Sequence, residues 1–473
     1  MTLTLILVFI AVAALLGLGT RNRWRLPLLL GISALAVYAL QPALPVRGLD
    51  FWLPTATLSI TTLTWILTTP PEQRSWRTNW LAAAILGGIV LALGLTRYLG
   101  LSLPLTASRP PQTLQLLVWL AIIALAAFLL TRFAKPGKAL LTAAFVFVIL
   151  LFVVLKVPAL AALVSVGLRS LNHQSTNLAS ALDLRWLGFS YIAFRLLHTL
   201  RDRQTGRLPA VSLSEYVVYV IFFPALAAGP IDRIERFTGD LRRSLALTSD
   251  DLAEAGKRLA IGLFKKFAVA DTLALVALNA TNALQVQTTG WAWVLLYAYA
   301  FQIYFDFSGY TDIAIGLGGL LGIRLPENFK APYLKPNLTQ FWNNWHMTLT
   351  QWFRAYFFNP LTRTLRSGKK PLPIPAIIFI TQVATMALIG FWHGVTWNFA
   401  LWGLWHGLGL FVHNRWSELT RARFSALPLP AQKTLNVGGV LLTFHYVALG
   451  WAFFALPTPQ ISWHVLLKLF GIA

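Results

Sequence analysis

The sequence predicts an all-α, polytopic membrane protein, and its composition carries that prediction. Of the 473 residues, 57% are hydrophobic and only 12% are charged, and the mean hydropathy is +0.64. The apolar residues form more long runs than one soluble core can bury, and such runs are typical of membrane-spanning helices. The absence of cysteine excludes disulfides, thiolate nucleophiles and cysteine-based metal sites.

The formal net charge of +23 does not by itself indicate a nucleic-acid partner. Lys and Arg fall mostly in the short breaks between apolar runs, where the positive-inside bias and anionic lipid headgroups account for them. The first run is followed, not preceded, by basic residues (Arg21, Arg23 and Arg25). This order predicts a retained first helix with its N-terminus outside the cell.

Proline-containing links divide the N-terminal part of the chain into candidate spans. These lie near residues 2–19, 26–41, 51–69, 79–97, 113–131 and 139–157. We expect the whole chain, 1–473, to form one integral membrane domain. Within it we predict N-terminal helices over 1–157, a core over 158–430 and C-terminal helices over 431–473.

Polar residues enter the apolar runs after residue 158. Arg195 and His198 lie near the end of a helix predicted from Trp186, and we interpret them as snorkelling to the interface, with a site role as the alternative. A further span is predicted over 211–229, followed by a surface cluster of charge (Asp232, Arg233, Glu235 and Arg236). Residues 250–271 predict an interfacial amphipathic helix, and further spans are expected near 272–286 and 290–305.

Acidic residues stand inside an apolar run at YFDFSGYTDIAIG, residues 304–316. In a helix, Asp306 and Tyr310 share one face, while Asp312 projects from the other side. A charged side chain at bilayer depth costs roughly 3 kcal/mol. These carboxylates therefore indicate either a polar cavity or buried pairing with an arginine.

The block FWNNWHMTLTQWFR, residues 341–354, predicts a helix with a polar stripe. At 100° per residue, four polar side chains fall within an arc of about 80°. Trp345 and other large rings flank or oppose that arc. For His346 alone a satisfied interfacial histidine is the alternative, but the alignment favours a functional face. The stripe consists of Asn343, His346, Thr350 and Arg354.

A third block, GFWHGVTWNFALWGLWHG, spans residues 390–407. His393 stands between Gly390 and Gly394, and these small residues are expected to leave room for a substrate group beside the imidazole. For His406 and His413 we expect a structural or interfacial role. The indoles near His393 are those of Trp392 and Trp397.

The order of these blocks resembles that of the membrane-bound O-acyltransferase (MBOAT) superfamily. The resemblance rests on WNNWHMTLTQWFR, GFWHGVTW and LWGLWHGLGL, and it is strong from about Leu187 to Trp416. The most similar branch is bacterial and modifies teichoic acids and alginate. The resemblance implies a helical bundle with a central tunnel, roughly 11–14 transmembrane helices, additional interfacial helices and a catalytic core over 158–430.

By the family pattern, His393 matches the principal catalytic histidine and His346 the second, both lining the tunnel. The implied reaction moves an acetyl or D-alanyl group from a cytosolic thioester, an acyl-CoA or acyl carrier protein, to a hydroxyl of an exported polysaccharide or teichoic acid. The implied location is the cytoplasmic membrane, with lipid, the donor carrier and an extracytoplasmic protein or polymer as partners. We expect no bound cofactor and no metal. Family members commonly have Asp where Ala355 follows Arg354, which casts doubt on a carboxylate role there.

The residues themselves agree with this chemistry. A neutral imidazole is suited to act as general base near pH 7, and we assign that role to His393. His346 or Asn343 would polarise the thioester carbonyl, and Arg354 would steer an anionic donor. The other residues expected to bind substrate or line the tunnel are Trp345, Thr350, Asp306, Tyr310, Trp392 and Trp397.

Three alternatives stand beside this hypothesis. Within the enzyme class, the acceptor would be a lipid or a protein. A proton-coupled secondary transporter would use Asp306, Asp312 and the histidines as a relay, although the sequence shows no inverted repeat. A non-catalytic scaffold of a polymer-export complex would tolerate replacement of His393.

Overall fold

The computed structural model describes residues 2–19, 21–99, 105–133, 137–368 and 372–472, and every regular element in these ranges is helical. The first ten α-helices are α1 (Leu3–Gly19), α2 (Asn22–Leu40), α3 (Leu49–Thr68), α4 (Trp76–Leu95), α5 (Thr113–Phe133), α6 (Lys138–Lys156), α7 (Pro158–Leu171), α8 (Phe189–Gln204), α9 (Leu213–Ile221) and α10 (Ile234–Arg242).

The following α-helices include two that continue directly as π-helix, over Phe264–Ala270 and Arg354–Phe358. They are α11 (Ser249–Leu263), α12 (Asp271–Ala274), α13 (Ala280–Gln285), α14 (Thr289–Leu320), α15 (Leu338–Asn344), α16 (Met347–Phe353), α17 (Asn359–Arg366), α18 (Ile374–His393), α19 (Trp397–Ser425), α20 (Leu429–Ala455) and α21 (Pro459–Leu469).

Long apolar helices confirm the prediction of an all-α polytopic membrane protein. Within the described ranges, six helices are long and apolar enough to cross a membrane, and three shorter helices are also apolar. The six are Asn22–Leu40, Trp76–Tyr98, Thr113–Phe133, Lys138–Lys156, Ile374–His393 and Leu429–Ala455. The shorter ones are Leu3–Gly19, Pro158–Leu171 and Leu213–Ala225.

Two of the predicted spans are not continuous α-helices. The run 272–286 is divided into α12 and α13, because the Asn279 side chain accepts hydrogen bonds from two backbone amides and starts a new helix. In the run 211–229, α9 ends at Ile221, and a short 3₁₀ turn containing Pro224 follows. Proline lacks the backbone donor that would continue the α-helix.

The chain forms two compact units. One consists of Met1–Arg258 with Ala314–Leu325, and the other of Leu259–Ile313 with Pro326–Ala473. We refer to them as unit 1 and unit 2. The division predicted from the sequence, at residues 157/158 and 430/431, stays a prediction.

In unit 1, two arginines are buried, although the sequence predicts that one of them, Arg195, snorkels to the interface. Arg195 is 2% exposed and donates to the carbonyl oxygens of Val220 (2.7 Å) and Ala225 (2.9 Å). Arg25 is 6% exposed and donates to three carbonyls, those of Leu241, Arg243 and Leu321. The snorkelling interpretation of Arg195 is therefore wrong, because main-chain oxygens left over at breaks between helices satisfy the guanidinium.

In unit 2, α18 and α19 pack closely, and glycines permit the approach. A Cβ at Gly403 would lie 2.7 Å from Met386 O, and one at Gly407 would lie 2.8 Å from Val383 Cα. Side chains at these positions would separate the two helices. Because His393 is the last residue of α18, this packing helps to fix its position.

We expect Gly403→Ala to destabilise the protein by about 1–3 kcal/mol, because the added methyl overpacks the α18–α19 contact. Gly438→Ala is the matched control, since Gly438 also lies in a helix of unit 2 and has open space around its Cβ position. The control is expected to be neutral or stabilising by about 0.5–1 kcal/mol. Thermal unfolding of the detergent-solubilised variants measures both effects, and equal melting temperatures would contradict the prediction.

Candidate active site

The predicted continuous helix over 341–354 is broken at His346. Helix α15 ends at Asn344, Trp345 is extended, and α16 begins at Met347. His346 itself has φ +43° and ψ +54°, the left-handed conformation. For a residue other than glycine this conformation costs roughly 1–2 kcal/mol, so the surrounding structure has to hold it in place.

Asn328 provides much of that support. It is fully buried, and its Oδ1 accepts hydrogen bonds from Thr348 Oγ1 (2.6 Å) and Thr348 N (3.2 Å). Its carbonyl oxygen accepts from Met347 N (2.9 Å). One asparagine thus satisfies amides of the first turn of α16, immediately after His346. The sequence does not reveal the role of Asn328, because a lone asparagine in LPENF gives no sign of the partner that it meets in the fold.

The imidazole of His346 is 4% exposed and surrounded by rings. Its centroid lies 4.6 Å from that of Phe307 and 6.1 Å from that of Trp392. Neither ring nitrogen has a hydrogen-bond partner in the part of the chain that the structure describes. A buried polar group without a partner costs free energy, so such a group calls for an explanation, and a bound substrate would supply one.

His393 lies at the C-terminal end of α18 with its ring among aromatic side chains. Ring centroids lie 4.5 Å away at Trp392, 4.7 Å at Phe454 and 5.8 Å at Phe399. The expectation that the flanking glycines leave room for substrate is wrong. Phe399 fills that space, since a Cβ at Gly390 would lie 2.2 Å from its carbonyl oxygen and one at Gly394 would lie 2.8 Å from its ring.

A cavity of about 70 Å³ brings the two histidines together on its wall. Trp345 and Thr350 line it as well, so four of the predicted site residues share one space. The indole Nε1 atoms of Trp342 and Trp402 point to further donors, because neither has a partner among the described residues. The lining consists of Ile303, Phe307, Trp342, Trp345, His346, Leu349, Thr350, Ile389, His393, Trp402, Trp451 and Phe454.

The other predicted site residues do not line this cavity. Asn343 and Arg354 are exposed, and Arg354 Nη2 donates to Asn343 Oδ1. Trp392 is buried and contacts both histidine rings, which makes it a support for the site. Trp397, by contrast, is 79% exposed at the start of α19. The predicted polar stripe is thus divided into a buried part and an exposed part, because the break at His346 changes the register.

The carboxylates of Asp306 and Asp312 pair with lysines, not with an arginine. Lys265 Nζ lies 2.7 Å from Asp312 Oδ2, and Lys266 Nζ pairs with Asp306 Oδ1. Both lysines lie on the π-helix after α11, where the sequence predicted only interfacial basic residues. Tyr310, between the two aspartates, is buried outside the cavity lining. Of the two alternatives, a polar cavity or ion pairing, the structure therefore shows ion pairing, with lysine instead of arginine as the cation.

Close backbone approach makes these ion pairs possible. A Cβ at Gly262 would lie 2.7 Å from Gly309 O, and one at Gly309 would lie 2.8 Å from Gly262 O. The two backbones meet between the ion pairs, so lysine side chains on one helix reach carboxylates on the other. With each carboxylate matched by a lysine, these aspartates do not provide the unpaired acids that the transporter alternative requires.

Similarity to known proteins decides the family of this chain. The family model for the membrane-bound O-acyltransferase family, MBOAT, matches residues 112–454. This chain is a member of the MBOAT family. The resemblance found in the sequence is confirmed, and so is the prediction, at the level of the family, that the chain is an O-acyltransferase.

The curated relatives act on polymers of the bacterial surface. The chain is 30% identical over 291 residues to the teichoic acid D-alanyltransferase of Streptococcus thermophilus, covering 58% of this chain and 68% of that protein. It is 37% identical to a probable alginate O-acetylase of Pseudomonas syringae (57% and 48% covered). It is 34% identical to the peptidoglycan O-acetyltransferase of Helicobacter pylori (54% and 47%). The match thus spans about half the length of the latter two.

We expect Asp312→Asn to lower the stability by about 1–3 kcal/mol, because Lys265 is left partly buried without its counter-charge. The double variant Asp312→Asn/Lys265→Met should recover part of that loss, since it removes the orphaned cation. Glu418→Gln, which removes an exposed carboxylate paired with Arg415, is the control and should change stability little. Thermal unfolding compares the four proteins; a double variant less stable than the single one would refute the assignment.

We expect Asn328→Ala to reduce the acyl-transfer rate about tenfold or more while the protein remains folded. Loss of two accepted hydrogen bonds, worth about 1 kcal/mol each, loosens the turn that aims His346. Thr348→Val removes only the hydroxyl donor and should have a smaller effect. The measurement is the turnover rate of purified variants whose thermal unfolding curves show that they are equally well folded. It shows which of the two substitutions reduces the rate more. A Thr348→Val defect larger than that of Asn328→Ala would contradict this role of Asn328.

Proposed function

We propose that this protein transfers a small acyl group, acetyl or D-alanyl in type, from a thioester donor to a hydroxyl of a cell-surface polymer. The observation that carries the proposal is the shared cavity of His346 and His393. It offers two imidazoles, two indole donors and an apolar wall within one small space. The surface polymers named for the relatives supply the acceptor class.

His393 acts as the general base in this proposal. It takes the proton of the acceptor hydroxyl as the oxygen attacks the thioester carbonyl carbon. The tetrahedral intermediate collapses with cleavage of the carbon–sulfur bond, and the imidazolium returns the proton to the leaving thiolate. The products are an ester on the polymer and the free thiol of the donor.

His346 stabilises the negative charge that develops on the carbonyl oxygen. A neutral imidazole carries one N–H donor, and both nitrogens of this ring are without hydrogen-bond partners among the described residues. Fixed donors in an apolar surrounding are the usual way to stabilise such an oxyanion. The indole N–H groups of Trp342 and Trp402 are further candidates for this role.

The size of the cavity favours a short acyl group over a fatty acyl chain. Its volume is about 70 Å³, and one water needs roughly 10–15 Å³ of space for its centre, so the cavity has room for about five waters. An acetyl or alanyl group is of this order, whereas a long acyl chain would need several times the space. This supports polymer acylation over the transfer of fatty acids to lipids or proteins.

The donor is a cytosolic acyl-CoA or acyl carrier protein, which Arg354 and the basic loops attract by charge. The acceptor reaches the site from the outer side through a central tunnel, with the help of an extracytoplasmic partner. The protein lies in the cytoplasmic membrane with its N-terminus outside.

The test compares ester-linked acyl groups on the envelope and on secreted polymer in cells that carry the wild type or His393→Ala at equal protein level. Loss of the base should remove at least 99% of one acyl ester, since general-base catalysis contributes about 10²–10⁴-fold. Mass spectrometry measures the loss and identifies the group.

Two further variants sharpen that test. His346→Ala should lower the same ester by about 10²–10³-fold through loss of the oxyanion donor. His464→Ala removes an exposed histidine of α21 and should leave the ester unchanged. An unchanged acyl profile in His393→Ala, with the protein folded in the membrane, would overturn the proposal.

A further inference from the structure

A group of potential metal ligands lies in unit 1, and none of its residues lines the cavity that contains His346 and His393. It joins the C-terminal part of α8 to the first turn of α10. The ligand atoms of His198, Asp202 and Glu235 all lie within 4.8 Å of one another. We propose that these three side chains bind a zinc ion.

The geometry on α8 matches what zinc requires. His198 and Asp202 are four residues apart, so their side chains lie one turn apart on one helix face. His198 Nε2 and Asp202 Oδ2 are 3.5 Å apart. Ligands at 2.0–2.2 Å from a tetrahedral zinc are about 3.3 Å from each other, so this pair needs almost no movement to bind the ion.

Neighbouring groups hold the ligands in this orientation. Asp202 Oδ1 accepts from Arg207 Nη2 (2.8 Å), and that bond leaves Oδ2 on the side of His198. Tyr219 packs beside the imidazole, with ring centroids 6.3 Å apart, and donates its hydroxyl to Asp232 O just before α10. Such outer contacts are what fix metal ligands in known sites.

Glu235 closes the site from the second helix. It is exposed, whereas His198 and Asp202 are 1% and 2% exposed, so the ion would have one face open to solvent and a water as fourth ligand. The carboxylates of Glu235 and Asp202 lie within 4.8 Å of each other, so their negative charges repel. A bound dication relieves that repulsion.

The charges around the cluster are arranged to permit a cation. Arg207 contacts the Asp202 oxygen that does not face His198, and Arg236 pairs with Asp232 (2.7 Å). Arg233, a further cation near Glu235, is exposed. The mixed set of one imidazole nitrogen and two carboxylate oxygens favours zinc over calcium or magnesium, which prefer oxygen ligands alone.

The snorkelling interpretation of His198 did not reveal this cluster. The imidazole is buried beside Asp202 on α8. Glu235 lies on α10, which is separated from α8 along the chain by α9 and a 3₁₀ turn. An ion bound here would cross-link α8 and α10. Its expected effect is therefore on the stability of unit 1.

The experiment uses the full chain without a polyhistidine tag, purified in detergent. After chelator treatment, zinc is added back and the bound metal is measured by mass spectrometry, with a competing indicator to give the affinity. We expect one zinc per chain and a higher melting temperature with zinc than without it. Glu235→Gln should weaken zinc binding at least tenfold, and His198→Gln should do the same.

Glu254→Gln is the matched control, since it removes an exposed carboxylate of α11 outside the cluster. It should bind zinc like the wild type. Because Glu235 lies at the surface, its variant tests the site even if His198→Gln fails to fold. Zinc well below one per chain, or equal zinc affinity in Glu235→Gln and wild type, would overturn the proposal; stoichiometric binding of calcium but not zinc would do so as well.

Discussion

Polar groups surrounded by apolar side chains must find their partners within the protein, and this requirement determines much of the structure. Arg195 and Arg25 donate to main-chain oxygens at breaks between helices. Lys265 and Lys266 meet the two aspartates of α14, with glycines bringing the backbones together. In an apolar surrounding each unsatisfied group costs several kcal/mol, so these contacts also specify how the helices pack.

His346 is an exception to this requirement. Its backbone is in a strained conformation that Asn328 supports, and its two buried nitrogens have no partner among the described residues. A fold that holds a histidine in this way, at a cost in stability, is consistent with a site that a substrate completes. His393 reaches the same cavity from a different element, the end of α18, where close helix packing fixes it.

The sequence predicted the fold class and part of the site, and the errors have physical causes. Periodicity located most of the long helices, since burial and lipid exposure depend directly on apolar residues. It did not reveal the break at His346, because a run of helix-compatible residues gives no warning that a distant asparagine will stabilise a left-handed turn. For the same reason Asn343 and Arg354 were grouped with His346 and Thr350, although only the latter two line the cavity.

The sequence by itself determined that this is an α-helical membrane protein of the acyltransferase type, because long apolar runs and motif order are local properties of the chain. Only the tertiary structure decided which polar residues meet. Lysine instead of arginine neutralises Asp306 and Asp312, Phe399 occupies the space beside Gly390 and Gly394, and two histidines share one small cavity. Such pairings depend on how closely separate helices approach, and that distance is set by packing across the whole fold.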